Sequence, residues 1–177
     1  MSRCIQRKLR TCGKDMADLP DIDDLDRRIL AELQDDARQT NRELAAAVHA
    51  STSTSSERVR ALRAERVIRG YHADVALEAL GRHVQALIAV RVRPPSRQNI
   101  EAFRDWAAAL PELIGVFVVS GEQDFLLHVA VKDTDALYAF VIDRLTERAE
   151  VADVNTSVVY EHIRHTVLEP LDDDQRR

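Results

Sequence analysis

From Thr40 to Arg66 the chain reads TNRELAAAVHASTSTSSERVRALRAER, and two helix starts stand in it. Thr40 followed by Glu43 is a capping box, opening a short helix whose Leu44, Ala45 and Val48 share a face. The pattern breaks at His49-Ala50. Ser51 then caps a further helix to about Glu65, with Val59 and Leu62 apolar and most other positions left to face solvent or a ligand. Upstream, Asp21 to Ala37 sets Ile22, Leu25, Ile29, Leu30 and Leu33 at helical spacing behind Asp23 and Asp24, which suit a helix N-terminus. Val67-Ile68 closes the small core. Three helices, the last two joined by a tight turn, form the helix-turn-helix plan.

The content of the third helix points to DNA. Short hydroxyls from Ser51 to Ser56 fit close to phosphates and base edges, and guanidinium groups reach phosphate or guanine. With Val59 and Leu62 turned inward, Ser53, Thr54, Ser56, Glu57, Arg58 and Arg60 are the candidates to face a duplex. A Ser-rich loop beside a solvated face is the plainer reading of the same residues, and an ion pair within the protein is the plainer reading of Arg58.

The remainder is a second domain. Ile68 to Val75 is β-friendly, and a linker runs on to Gly81. Val84 to Val92 alternates as a strand that Pro94-Pro95 ends; Ser96 opens a helix with Ile100, Phe103, Trp106, Ala107 and Leu110 on one stripe. Leu113 to Ser120 and Asp124 to Lys132 make a hairpin. Asp133 or Thr134 caps a helix carrying Leu137, Phe140, Val141 and Leu145, and Val151 to Ile163 is the last strand. The β-α-β-β-α-β order is ferredoxin-like, so the fold class is α+β: a winged helix-turn-helix followed by a ferredoxin-like domain. Helices cover one sheet face only. The strands are apolar on both sides, and a second subunit is the economical cover. Domains are expected at 21–70 and 84–168, with a strand and linker over 71–83, a basic tail over 1–20 expected to be disordered, and an acidic tail over 169–177.

Net charge is −5 in 177 residues, divided as +3 over 1–20, −1 over 21–70 and −7 over 71–177. Residues 51–70 nevertheless hold five arginines against two glutamates, so an acidic chain still presents one basic helix. No stretch approaches the ~18 apolar residues of a membrane helix, and the basic start lacks the apolar segment of a secretory signal, so a cytoplasmic location is expected. Cys4 and Cys12 match neither a zinc nor a redox spacing. Glu161-His162-x-x-His165, on an extended strand, would send its histidines to opposite faces. No nucleophile beside a base and no phosphate loop appears; the expectation is no enzyme, no catalytic residue, no metal and no cofactor.

The hairpin invites a small ligand. Gly121 can turn the chain with positive φ and expose N–H groups to a carboxylate, and Asp124 offers charge to an ammonium. A plain hairpin glycine and turn aspartate are the alternative.

The arrangement resembles the Lrp/AsnC (feast/famine) family of transcriptional regulators over roughly residues 22–168. The likeness lies in Leu25-Asp-Arg-Arg-Ile-Leu30, Asn41-Arg-Glu-Leu-Ala45, Ser51 with Arg58-Val-Arg-Ala-Leu62, Val67-Ile-Arg-Gly-Tyr71, Ser120-Gly-Glu-Gln-Asp124 with Phe125-Leu-Leu, and Val154-Asn-Thr156. It implies a dimer through the C-terminal domains assembling to a tetramer or octamer, double-stranded DNA bound by paired helices, and an effector, expected to be an amino acid, at the interface between subunits, where the Gly-x-x-Asp turn and nearby strand positions contribute Ser120, Gly121, Gln123, Asp124 and Thr156. The chain departs from the family in having His49 and Arg66 where glycine is usual and Ser55 where an apolar residue is usual. An oligomeric interaction protein with a degenerate helix-turn-helix, and an RNA-binding sheet, are the competing readings; the latter would need exposed aromatics on the central strands, where Phe125 stands alone.

Overall fold

The computed structural model describes residues 22–171, arranged in two compact units. Cys4, Cys12, the basic N-terminal segment, Asp21 and Asp172-Asp-Asp174 lie outside the described residues. The first unit joins the chain up to Ala73 with the stretch from Ile163 onward; the second is Asp74–His162.

In the first unit α1 (Asp24–Asp35), α2 (Asn41–Ala47) and α3 (Thr52–Ala64) close on Ile29, Leu44, Val48 and Leu62, none more than 3% exposed. Each helix start carries its expected cap: the Asp23 carboxylate accepts from the Leu25 and Asp26 N–H groups, Thr40 and Glu43 form the reciprocal box, and the Ser51 hydroxyl accepts from Thr54 N–H. α2 then reverses through His49 at φ 55°, where Ala50 N–H donates to Ala45 O and His49 N–H to Ala46 O. Arg66 at φ 63° does the same after α3. Both left-handed turns are made without glycine. The returning chain is clipped to α1, since the Gln34 amide donates to Leu168 O at 3.1 Å and accepts from Leu168 N–H at 3.0 Å.

No strand forms over 68–75, contrary to expectation. Tyr71 to Ala76 has no regular structure and is largely exposed, because a strand needs a ladder partner and none is present among the described residues.

The second unit is a four-stranded antiparallel sheet in the order β2 (Leu113–Val118), β3 (Phe125–Val131), β1 (Val84–Val92), β4 (Val151–Val159). α4 (Arg97–Ala107) and α5 (Thr134–Ala139) complete the ferredoxin-like plan. The core collects Ala86, Ile88, Val90 and Val92 from β1 with Phe125, Leu127 and Val129 from β3, all fully buried, against Phe103 of α4, whose ring lies 4.7 Å from that of Phe125. Asp133 rather than Thr134 supplies the α5 cap. The expected single helix here is α5 followed by a π-helical stretch, Phe140–Thr146, which buries Phe140 and Leu145, five residues apart.

β4 ends at Val159, not Ile163, because Gln85 is its partner there and β1 runs out one residue further. Glu161, His162 and His165 therefore lie beyond the strand, and the argument from alternating faces does not reach them. Among the described residues no group of three His, Cys, Asp or Glu side chains could hold a metal ion, and no helix is long and apolar enough to cross a membrane.

The sheet's other face sets Leu87, Ala89, Leu126 and Phe117 in register as an apolar strip, with Phe117 54% exposed, flanked by Asn155 and Ser157 of β4. His128 shares this face, 3.0 Å from Gln85 Oε1; burial, then the nearby His162, lowers its pKa.

A side chain at left-handed φ costs on the order of 1 kcal/mol relative to glycine. His49→Gly and Arg66→Gly are each expected to raise unfolding stability by about that amount, additively, in urea melts. Unchanged midpoints would mean that these turns carry no strain.

Candidate DNA-binding and effector sites

α3 is built at its start from hydroxyls. Ser51 Oγ lies 2.7 Å from Thr54 Oγ1 and 2.9 Å from Ser53 Oγ, so both are tied to the cap and held at the helix mouth. Ser53, Thr54, Glu57 and Arg60 are exposed, whereas Ser56 is half-buried. Ser55 is fully buried and its hydroxyl donates to Thr52 O, which gives it a partner within the helix.

Arg58 turns the other way. Its Nη1 lies 2.8 Å from Asp23 Oδ2 and 3.2 Å from Asp26 Oδ2, with Asp26 only 5% exposed. The guanidinium thus ties α3 to the start of α1, and the ion-pair reading of Arg58 matches this geometry. Asp23's pKa is lowered, chiefly by the Asp26 N–H bond and further by Arg58; Glu43's is lowered by its bonds to Thr40. Asp23 was legible as a helix start, but neither it nor Asp26 was legible as a partner of Arg58, which lies 32 residues from Asp26.

The turn from Val118 to Phe125 gathers Ser120, Gly121, Gln123 and Asp124. Within one chain Thr156 does not join them: it pairs with Ile88, across β1 from the hairpin. Gly121 has φ 137°, a backbone that favours glycine. The turn is anchored to the end of β1, with Asp124 N–H donating to Val90 O at 3.0 Å, Arg91 Nε to Glu122 O at 2.6 Å, and Val92 N–H to Asp124 Oδ2 at 2.7 Å. Arg93 Nη1 stands 3.4 Å from the same carboxylate oxygen. One oxygen of the expected ammonium partner is therefore engaged within the chain. Beside it, Gln123 Oε1 is buried and accepts no hydrogen bond among the described residues. Arg91 and Arg93 were missed in the sequence, where they read only as the polar side of a strand and its end.

Residues 22–69 match a family described as winged helix-turn-helix DNA-binding, and residues 85–168 the Lrp/AsnC ligand binding domain. The chain is 41% identical over 144 residues to the HTH-type transcriptional regulator AldR of Mycolicibacterium smegmatis, covering 81% of this chain and 84% of that one. It is 38% identical to a leucine-responsive regulatory protein of Rhizobium meliloti, covering 81% and 92%. Among solved structures, a transcriptional regulator of Neisseria meningitidis in complex with L-Met superposes with a TM-score of 0.79 at 30% identity, covering 88% of this chain and 99% of that one.

Arg58→Ala leaves the buried Asp26 carboxylate without its cation and is expected to cost about 1–3 kcal/mol in chemical denaturation. A neutral result would assign Arg58 to the surface. Because Asp23 and Glu43 have lowered values, their contribution is fully present above about pH 4.5, the ordinary Glu value, and is lost as pH falls through the lowered ones. Stability measured from pH 6 to 2.5 is expected to fall less steeply in Asp23→Asn with Glu43→Gln than in the parent.

Proposed function

The chain belongs to the Lrp/AsnC family of transcriptional regulators, and from that premise we propose that it is a sequence-specific DNA-binding regulator whose assembly and promoter occupancy respond to an amino acid. The observation that carries the reading is α3: a capped helix whose outward side offers Ser53, Thr54, Glu57 and Arg60 while its inward side is locked to α1 by Arg58. Such a helix enters a major groove with its first turns at the base edges. One helix of this length buries too little to find an operator; two, set about 34 Å apart, read half-sites one turn apart. The apolar strip of Leu87, Ala89, Leu126 and Phe117 supports pairing through the sheet domains, as a dimer and higher closed assemblies.

The effector chemistry follows from the turn. Backbone N–H groups at Gly121 suit a carboxylate, and Gln123 Oε1, with the remaining Asp124 oxygen, suits an ammonium. An α-amino acid carries both. The L-Met complex of the meningococcal relative supports the same class of ligand. A ligand of this kind shifts assembly by its differential affinity, typically 1–3 kcal/mol of coupling. The relatives are regulators, which supports a role without catalysis and a place in the cytoplasm.

Anisotropy titrations with duplex from the chain's own upstream region test the reading. Arg60→Ala is expected to weaken binding to all sequences and to lower the salt slope by about 0.9, whereas Thr54→Ala changes sequence preference. An unaltered slope would remove Arg60 from the interface. Calorimetry against the twenty amino acids is expected to find at least one ligand, and Gln123→Leu to weaken it; silence with all twenty would reject the effector site.

A further inference from the structure

We propose that the concavity between α2 and α3 seats a phosphate of the DNA backbone, gripped by Asn41, Arg60 and Arg63, with Tyr71 as a positioning residue for Arg63. The proposal rests on the reading of α3 as a DNA-facing helix and adds a backbone clamp to its base-reading end. An open concavity of about 500 Å³ is lined by Asn41, Ser56, Val59, Arg60, Arg63 and Ala64. No carboxylate lines it. Arg60 and Arg63, three residues apart on α3, share one side of the helix. Neither has an acidic partner among the described residues, whereas Arg58 on the same helix is committed to Asp23 and Asp26. Glu43, two residues after Asn41, has its carboxylate held by the N–H and hydroxyl of Thr40, at 2.7 and 2.8 Å.

The lining therefore offers two guanidinium groups, an amide and a hydroxyl around a small apolar floor. Phosphate oxygens are acceptors only, and such a donor set matches them without regard to base identity. Arg63 is also steadied in advance. Its guanidinium carbon lies 5.8 Å from the centre of the Tyr71 ring, a cation–π contact that restricts a long side chain before any duplex arrives and so lowers the entropic cost of gripping it.

The full-length chain, titrated by anisotropy with its upstream duplex and with an unrelated duplex from ~50 to ~250 mM salt, gives the test. Arg63→Ala and Arg63→Gln are expected to weaken both complexes equally, by about 5- to 20-fold, and to lower the slope of log K against log salt by ~0.9, the value of one lost phosphate contact. Asn41→Ala is expected to weaken both duplexes with the slope retained, since a neutral donor releases no counterion. Tyr71→Phe keeps the ring and is expected to bind as the parent does; Tyr71→Leu follows Arg63→Ala in direction and adds nothing to it. Parent-like slopes in both Arg63 variants, or a loss confined to the upstream duplex, would overturn the phosphate seat while leaving the regulator reading in place. A parent chain that bound neither duplex would overturn both.

Discussion

Strand β1 is the constraint on which the sheet domain depends. It lies between β3 and β4, its Ala86, Ile88, Val90 and Val92 side chains are wholly buried, and removing its ladder would separate the hairpin from the last strand. The same strand fixes the site. Val90 O, Val92 N–H and Arg91 hold the Glu122–Asp124 segment at its end, so the candidate effector turn takes its geometry from a central strand of the sheet. Alternation within β1 thus has two results at once: Ile88 and Val90 build the core, while Leu87 and Ala89 lie on the apolar strip of the opposite face.

The DNA-binding unit solves a different problem, since its core is four fully buried apolar side chains and a few half-buried neighbours. Small cores rely on helix ends. Here the three starts are capped by Asp23, Thr40 and Ser51, and the two reversals are made by His49 and Arg66 in left-handed backbone. Arg58 is paired with Asp23 and Asp26 and so fastens α3 to α1, whereas Arg60 and Arg63 have no acidic partner among the described residues. Division of labour among like-charged neighbours, set by which acids lie within reach, decides which of them can meet a nucleic acid.

Much of this was legible in the residues. Capping residues, the stripe of Ile100, Phe103, Trp106 and Ala107, and the alternation in β1 are local signals, and they located the elements to within a few residues. What escaped depends on partners distant in sequence. Ile68 to Val75 has strand composition but no ladder to join; β4 stops where β1 ends; α5 widens to bury Phe140 and Leu145 together. An ion pair was already an alternative for Arg58 in the sequence, but its partners Asp23 and Asp26 emerge only when α1 is packed beside α3. At the candidate effector turn, Gly121 and Asp124 were readable from type and spacing, whereas the grip of Arg91 and the unmatched oxygen of Gln123 arise only when β1 is laid against the hairpin.

The two-way hydrogen bond between Gln34 and Leu168 makes the DNA-binding unit discontinuous in sequence. The sheet domain is, in connectivity, an insertion between α3 and a closing segment that returns to α1. A fragment cut after Ala73 would lack the segment that closes on α1, so a single truncation cannot release this unit whole.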